Sequence, residues 1–551
     1  VERARRRPTL GLGLPAVFIA AGLAAQEIST GPAIGEIRVE RVNVFDPAKG
    51  EDWWPFRAAN LIHVMTREPV IRRELLLGSG EPWDRLKALE SERNLRSLGL
   101  FRRADILPQT RPDGKSDLWV RTQDIWTLRL LLSVGTEGGE SFFSLGASES
   151  NLLGYGKDVG FLYSQTGPKF RREFHYADPR FLGTRLRLSP SYSKTNRGDS
   201  IAADLARPFF SLETPYALGL GWSRSVDESG LFEEGAEVSK SLHRSRAVSA
   251  GLGLRLPEER FFTQRIEGGW HAERQEFSAI PETRAGTLPS SRELSGPTLG
   301  YSWIQPLYLK ETYIDRMERV EDFNLGNELR LLAGAMGTGT GSDRERWIFN
   351  ASDQQGLGLG SGRFALSQVG ASGRVARGRW ENALFFANLN LFWKTSWPLP
   401  QTWVAHLEGS SSRSLDGENQ LVLGGSNGLR GYKNNSFVGG KAVLLNLENR
   451  FFIPGEYFHL LRFGGAVFFD SGAVVPEGSG ISWRRFKSDV GAGLRLSSTR
   501  SRSGGVLRFD LAYALNPGPG SRWVISIRGQ QAFQIFNSAT SRVRQSPGPR
   551  L

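Results

Sequence analysis

The chain of 551 residues contains no cysteine, six histidines and three methionines. Without cysteine there is no disulfide framework and no thiolate metal site. Six histidines leave little material for a zinc centre. Beyond the N-terminal stretch no run of ~18 or more apolar residues occurs, so no segment reads as a membrane-spanning helix. Hydrophobic residues make up only 39%, whereas glycine (65), phenylalanine (33) and tryptophan (15) are plentiful. That balance describes short, turn-punctuated strands and not helical cores.

The formal charge of +13 is carried by arginines spread along the whole chain, with no basic helix or base-stacking motif. Contact with anionic lipid headgroups uses such a charge better than nucleic acid does. Catalytic signatures are equally thin. Gly424–Gly428 (GGSNG) matches G-x-S-x-G, but no strand–helix alternation surrounds it, so Ser426 lacks the setting of a nucleophile. Gly356–Gly362 (GLGLGSG) lacks the Lys-Ser/Thr ending of a phosphate loop. The expectation is a non-enzymatic chain with no metal and no cofactor.

Arg3, Arg5, Arg6 and Arg7 precede an apolar stretch, Leu10 to Leu23, and small residues Ala24 and Ala25 follow. This predicts a secretory signal peptide over residues 1–25. An exported chain with many alternating strands and no membrane helix is a soluble periplasmic β protein or a transmembrane barrel, since only helices and closed barrels satisfy every backbone group in lipid.

Residues 34–125 read as a small α+β module. Gly35–Val44 (GEIRVERVNV) is a half-exposed strand, and Phe56–Met65 and Pro82–Leu98 are helices, with Pro82 in the first turn and Gly99 as the stop. Val70–Leu77 fits helix or strand. Phe101–Leu107 and Asp117–Thr122 are strands joined by a turn at Pro112, Asp113 and Gly114. Repeated hairpins then run over residues 127–537, with a polar tail at 538–551. About four hundred residues at roughly 25 per strand plus loop predict about sixteen strands. Alternation alone fits a sandwich or a barrel. Aromatics near strand ends (Trp403, Phe452, Trp483, Trp523) favour the interfacial girdles of a membrane barrel. Trp523–Phe533 would close it, with Gly529 permitting a kink.

The most informative stretch is Gly424–Tyr432 (GGSNGLRGY), where one cation, Arg430, sits on a glycine-supported loop. In the next two strands Val443, Leu445, Leu447 and Phe451 alternate with Asn446, Glu448 and Arg450, and Phe463, Val467 and Phe469 lie opposite Asp470. If the apolar faces look outward, Glu448 and Asp470 share an interior that Arg430 can enter. GLRGY (Gly428, Leu429, Arg430, Gly431, Tyr432) resembles the loop-six signature of the BamA/TamA superfamily of outer-membrane assembly and translocation barrels. ENRFFIP and FFDSGAV resemble the two strands after it, and ESNLLGYGKDV and DPRFLGTRLRL its early strands. The order strand, helix, helix, strand, strand, with SLGLFRRADI, resembles one POTRA domain.

The resemblance implies a mainly β fold, a transmembrane antiparallel barrel of about sixteen strands in the bacterial outer membrane, with the POTRA-like domain in the periplasm. It implies that Arg430 pairs with the acidic lumen groups Glu448 and Asp470, and that Gly529 helps the first and last strands part. The implied function is assembly, insertion or translocation of unfolded outer-membrane or secreted polypeptide clients, by strand augmentation on the POTRA edge and a lateral seam. Outer-membrane lipids, and periplasmic or lipoprotein accessory factors, are the other partners it admits. A dedicated secretion transporter for one client, or a passive or lipid-handling barrel, are the alternatives.

Overall fold

A computed structural model describes residues 31–137, 140–167, 169–257, 262–501 and 506–529. The predicted signal peptide, the end of the closing strand and the polar tail lie outside these residues.

The N-terminal module holds β1 (Ile34–Val42), α1 (Trp54–Ile62), α2 (Glu68–Arg72), α3 (Arg85–Ser97), β2 (Phe101–Thr110) and β3 (Ser116–Asp124). Its sheet has the order β1-β3-β2, with β1 parallel and β2 antiparallel to β3. One face of that sheet buries Ile37, Ile106, Leu118 and Val120 against Ile71, Ala88 and Leu95 from the helices. The ambiguous Val70 belongs to the short α2. The long helix starts later than Pro82 would place it, because the Asp84 side chain accepts from the Leu86 and Lys87 amides and caps it. Gly99, at φ 65°, ends it.

The remainder is a closed barrel. Its first strands are β4 (Leu128–Glu137), β5 (Glu140–Glu149), β6 (Asp158–Thr166), β7 (Lys169–Phe181), β8 (Leu186–Thr195) and β9 (Asp199–Arg207). Three long strands follow: β10 (Tyr216–Glu233), β11 (Ala236–Arg255) and β12 (Thr263–Ala279). After β13 (Arg292–Ile304) comes a short hairpin, β14 (Tyr308–Glu311) and β15 (Glu321–Asn324), that is not part of the wall. The wall resumes with β16 (Asn327–Met336), β17 (Arg346–Gly358), β18 (Arg363–Ala376), β19 (Arg379–Thr395) and β20 (Gln401–Arg413). A second inserted hairpin, β21 (Leu421–Leu423) with β22 (Phe437–Gly439), precedes β23 (Lys441–Phe452), β24 (Leu461–Val475), β25 (Lys487–Ser498), β26 (Val506–Ala514) and β27 (Trp523–Gly529).

The wall thus has twenty strands, not about sixteen, with β27 beside β4. Two of the extra strands, β7 and β9, escape a hydropathy reading. β7 (KFRREFHYADPRF) carries charges on both faces and a proline, and β9 (DSIAADLAR) has one face of mostly small residues. In a wet barrel the inward positions tolerate charge, which flattens the alternation.

Sidedness follows from exposure. Outward positions are apolar and open: Leu220, Trp222, Leu299, Trp347, Trp403, Leu447, Leu494 and Trp523 are all exposed. Inward positions are polar and buried, as with His406, Glu408, Asn446, Glu448, Asp470 and Asp510. This inverts a soluble protein and matches a wall in hydrocarbon. Among the described residues no helix is long and apolar enough to cross a membrane. Phe452 corrects the girdle expectation: its parity turns it inward, where it is buried with Met317, Val506 and Tyr313.

Candidate functional site

Two inserted segments reach into the lumen from opposite ends. The loop between β20 and β23, residues 414–440, comes from the end remote from the N-terminal module. The segment between β13 and β16, residues 305–326, comes from the module's end.

Loop 414–440 is anchored by Leu423, Leu429 and Tyr432, which pack with Leu444 and Ala514 of the wall. The Tyr432 hydroxyl contacts the Ser488 carbonyl at 3.0 Å and the Asn516 carbonyl at 3.2 Å. Two glycines are set by close approach. Gly428, at φ +98°, would place a Cβ 2.3 Å from Leu444 Cδ2, and Gly431 would place one 2.5 Å from the Asp489 Cβ. Together they lay the backbone on the wall and aim the side chain between them at β23 and β24.

That side chain is Arg430, buried at 5% exposure. Its Nε and Nη2 donate to the two Asp470 carboxylate oxygens at 2.8 Å each, a fork-to-fork pair, and Nη1 donates to Glu448 Oε2 at 2.5 Å. The guanidinium lies 3.4 Å from the Phe468 ring centroid. Asn446 joins the group by donating to Asp470 Oδ1 and to the Gly428 carbonyl, 2.7 Å each. The structure therefore brings Arg430, Glu448 and Asp470 into one buried cluster. A contact pair at an effective dielectric near 20 gains roughly 4 kcal/mol of Coulomb energy before desolvation, and the bidentate geometry is what offsets that penalty.

Several members of the cluster are not singled out by the sequence reading. Arg450 Nε donates to the other Glu448 oxygen at 2.8 Å, and its Nη1 donates to the Ile314 carbonyl at 2.6 Å. It also lies 3.5 Å from Asp315. Arg495 pairs with Asp510 at 2.5 Å and stands 3.8 Å from Glu448; Arg508 pairs with Asp510 at 3.0 Å. The inward parity of these strand residues was a usable signal, whereas nothing in the sequence ties residue 315 to residue 450.

Residues 305–326 thus form a lumen plug. Ile314 is fully buried among the inward-facing Phe364, Leu366, Phe392 and Val404, and Thr402 donates to the Tyr313 carbonyl at 2.8 Å. The plug's other side meets the N-terminal module. Arg96 of α3 forks onto Asp322 with two 2.8 Å bonds, Glu92 accepts from Lys310 at 2.5 Å, and Arg93 stacks on Tyr308. Glu448 consequently takes a hydrogen bond from the remote loop on one oxygen, and from the arginine that holds the plug on the other.

The remaining sequence candidates fall elsewhere. Gly529 is the last described residue of β27, paired with Leu507. Ser426 donates its hydroxyl to Asn434 Oδ1 at 3.1 Å. Gly360 and Gly362 shape the β17–β18 turn at positive φ. Among the described residues one trio has metal-ligand spacing, Glu51, Glu456 and His459. Arg500 already engages it, bonding Glu51 and approaching Glu456 to 3.5 Å.

Residues 381–537, which carry loop 414–440 and both acidic partners, match the sequence model of the Omp85 superfamily domain. This stretch is an Omp85 superfamily domain. A curated relative, the outer membrane protein assembly factor BamA of Neisseria meningitidis serogroup B, is 30% identical over 204 residues, which cover 36% of this chain. The match spans about a fifth (21%) of that relative's length. Among solved structures, CdiB from Acinetobacter baumannii aligns over 90% of this chain and 73% of its own at 12% identity and a TM-score of 0.49. BamA from Haemophilus ducreyi lacking POTRA domains 1–3 aligns over 90% and 83% at 13% identity and 0.35. The chain is a closed β-barrel whose C-terminal strands and inserted loop lie in the stretch that matches the Omp85 superfamily domain.

Proposed function

We propose that this barrel assembles or translocates polypeptide clients at the outer membrane, with residues 34–125 acting as a periplasmic POTRA-like domain and residues 127–537 as the working barrel. The observation that carries the reading is the Arg430 fork on Asp470, with Glu448 as its third ligand. A loop that only covers a pore has no need of a buried three-way charge cluster, whereas a machine that holds a defined lumen shape does. The relationship to an outer membrane protein assembly factor supports the same class. In the N-terminal sheet the outer edge of β2 is a poor template, because Ile106 gives its N–H to Glu92 and Pro108 has none. β1 is engaged at its start, where Ile34 pairs with Glu81 and Gly80 and the Ile37 carbonyl accepts from Arg72, and its later residues are the edge we assign to an extended client strand.

The test is depletion of the protein followed by quantification of the outer-membrane proteome, with complementation by the wild type and by Arg430→Ala. Loss of many barrels, rescued by the wild type and not by Arg430→Ala although the variant barrel is present, is the expected result. Loss of one secreted protein would favour the dedicated transporter, and an unchanged proteome would overturn the reading.

A further inference from the structure

Sequential strands β10, β11 and β12 place arginines directly opposite one another on the outer surface. Arg224 pairs in register with Arg246, and Arg246 with Arg274. All three have the parity of the exposed, outward-facing Trp222, Val248 and Trp270. They lie one outward position beyond the row Trp222, Val248, Ala272, on the side away from the N-terminal module. Arg244, one outward step further, completes a cavity of about 110 Å³ lined by the four guanidiniums and Glu276.

Like charges directly opposite on a sheet repel, so this arrangement calls for a counter-charge. The protein supplies only part of one. Arg274 pairs with Glu276 at 2.6 Å and Glu293 at 3.1 Å, and Arg244 donates to Ser278. Among the described residues, Arg224 and Arg246 have no carboxylate within ion-pair distance. Four cations against two carboxylates leave two positive charges around the cavity. From Tyr216, where the outward apolar row of β10 begins, to Arg224 is nine residues, about the length a tilted strand needs to cross the hydrocarbon. The cluster therefore sits at headgroup level in the leaflet remote from the module. A cavity of about 110 Å³ is roomy enough for a phosphate group.

We propose that Arg224, Arg246 and Arg274 form a binding site for the phosphate of an anionic lipid in the outer leaflet. The site rests on the outer-membrane placement of the barrel. Planar guanidiniums recognise phosphate oxygens bidentately, and the neighbouring Trp222, Val248 and Trp270 offer apolar surface to the acyl chains of the same molecule. That continuity of basic cluster and lipid-exposed belt selects a lipid over a soluble anion or a protein partner.

The full-length protein in phosphatidylcholine nanodiscs, titrated with phosphorylated lipid A, with dephosphorylated lipid A and with inorganic phosphate, tests the site by native mass spectrometry. We expect Arg224→Gln/Arg246→Gln to lose about tenfold or more in affinity for phosphorylated lipid A. Arg224→Lys/Arg246→Lys should retain part of it, and Arg484→Gln/Arg485→Gln, exposed on a remote loop, should match the wild type. Dephosphorylated lipid should not distinguish wild type from the glutamine variant. Equal affinity of wild type and glutamine variant overturns the site, and inorganic phosphate binding as tightly as the lipid overturns the lipid assignment. A chain that does not enter the nanodisc overturns the membrane placement and the site together.

Discussion

A buried charge is tolerated only where its partners are fixed, and the two ends of this molecule handle that differently. In the lumen Arg430 meets two carboxylates. At the joint between module and barrel, Asp124 ends β3 buried at 1% exposure and faces no close cation. Its Oδ2 accepts from the Thr66 amide at 2.6 Å and the Thr66 hydroxyl at 2.9 Å; His63 Nε2 stands 4.0 Å away, and Arg41 acts from further off. Burial pushes the Asp124 carboxyl up to about 6, against the opposing pull of the Thr66 bonds and Arg41. Because the folded value lies above the ordinary 3.8, the group favours the folded joint most below about pH 4, and that contribution is lost as pH rises through about 6. That rise corresponds to about 3 kcal/mol. Burial lowers His63, with Glu149 opposing, so the imidazole disfavours the fold as it charges at low pH and bends the wild-type profile the other way. Comparing wild type with Asp124→Asn isolates the carboxylate. We expect the variant to protect amides of residues 34–124 from hydrogen exchange better than wild type at pH 7.5, with the gain gone at pH 4. An equal gain at both values would exclude ionisation as the cause.

Among the elements, the plug was the least legible part of the sequence. The strands of the Omp85 domain alternate cleanly, so Val443, Leu445 and Leu447 against Asn446 and Glu448 reveal both register and sidedness. GLRGY marks the loop because its glycines have no alternative at Gly428 and Gly431. Residues 305–326 carry no such signal, since nothing in Ile314 or Phe323 marks them as lumen residues until the wall residues around them are known. Their role rests on tertiary contacts, among them Arg450, which ties the Ile314 carbonyl and Asp315 to Glu448. Replacing Arg450 by Gln removes that tie while the Arg430–Asp470 fork stays and Arg495 remains near Glu448. Breaking one side of a buried pair costs roughly 3–5 kcal/mol, enough to populate a released plug. We expect Arg450→Gln to raise conductance in planar bilayers several-fold while loop 414–440 keeps its protease resistance. Unchanged conductance would show that the packing around Ile314 and the Arg96–Asp322 fork hold the plug without Arg450.

Across the whole barrel, connectivity is uneven in one place. A closed ring of twenty strands has twenty adjacencies, and nineteen join strands consecutive along the wall. Each of those is closed covalently by a turn or an inserted segment, so strands that separate remain tethered and re-pair. Only β4 and β27, the two ends of the wall, meet through hydrogen bonds alone. Each such bond contributes about 1 kcal/mol net, and with no turn joining the two strands, opening there costs only the bonds that are broken. Both edges are faced with exposed apolar side chains, Leu130 and Leu132 on β4 and Trp523 and Ile525 on β27, so an opened seam stays compatible with lipid and, under the proposed function, would present two unpaired edges to a client strand. The absence of native cysteine makes this testable with one engineered thiol in each strand at facing positions. Oxidation should abolish client insertion and reduction should restore it, while bilayer conductance stays the same in both states because the lumen is not altered. Full insertion by the oxidised, cross-linked protein would place the exit for clients somewhere other than the seam.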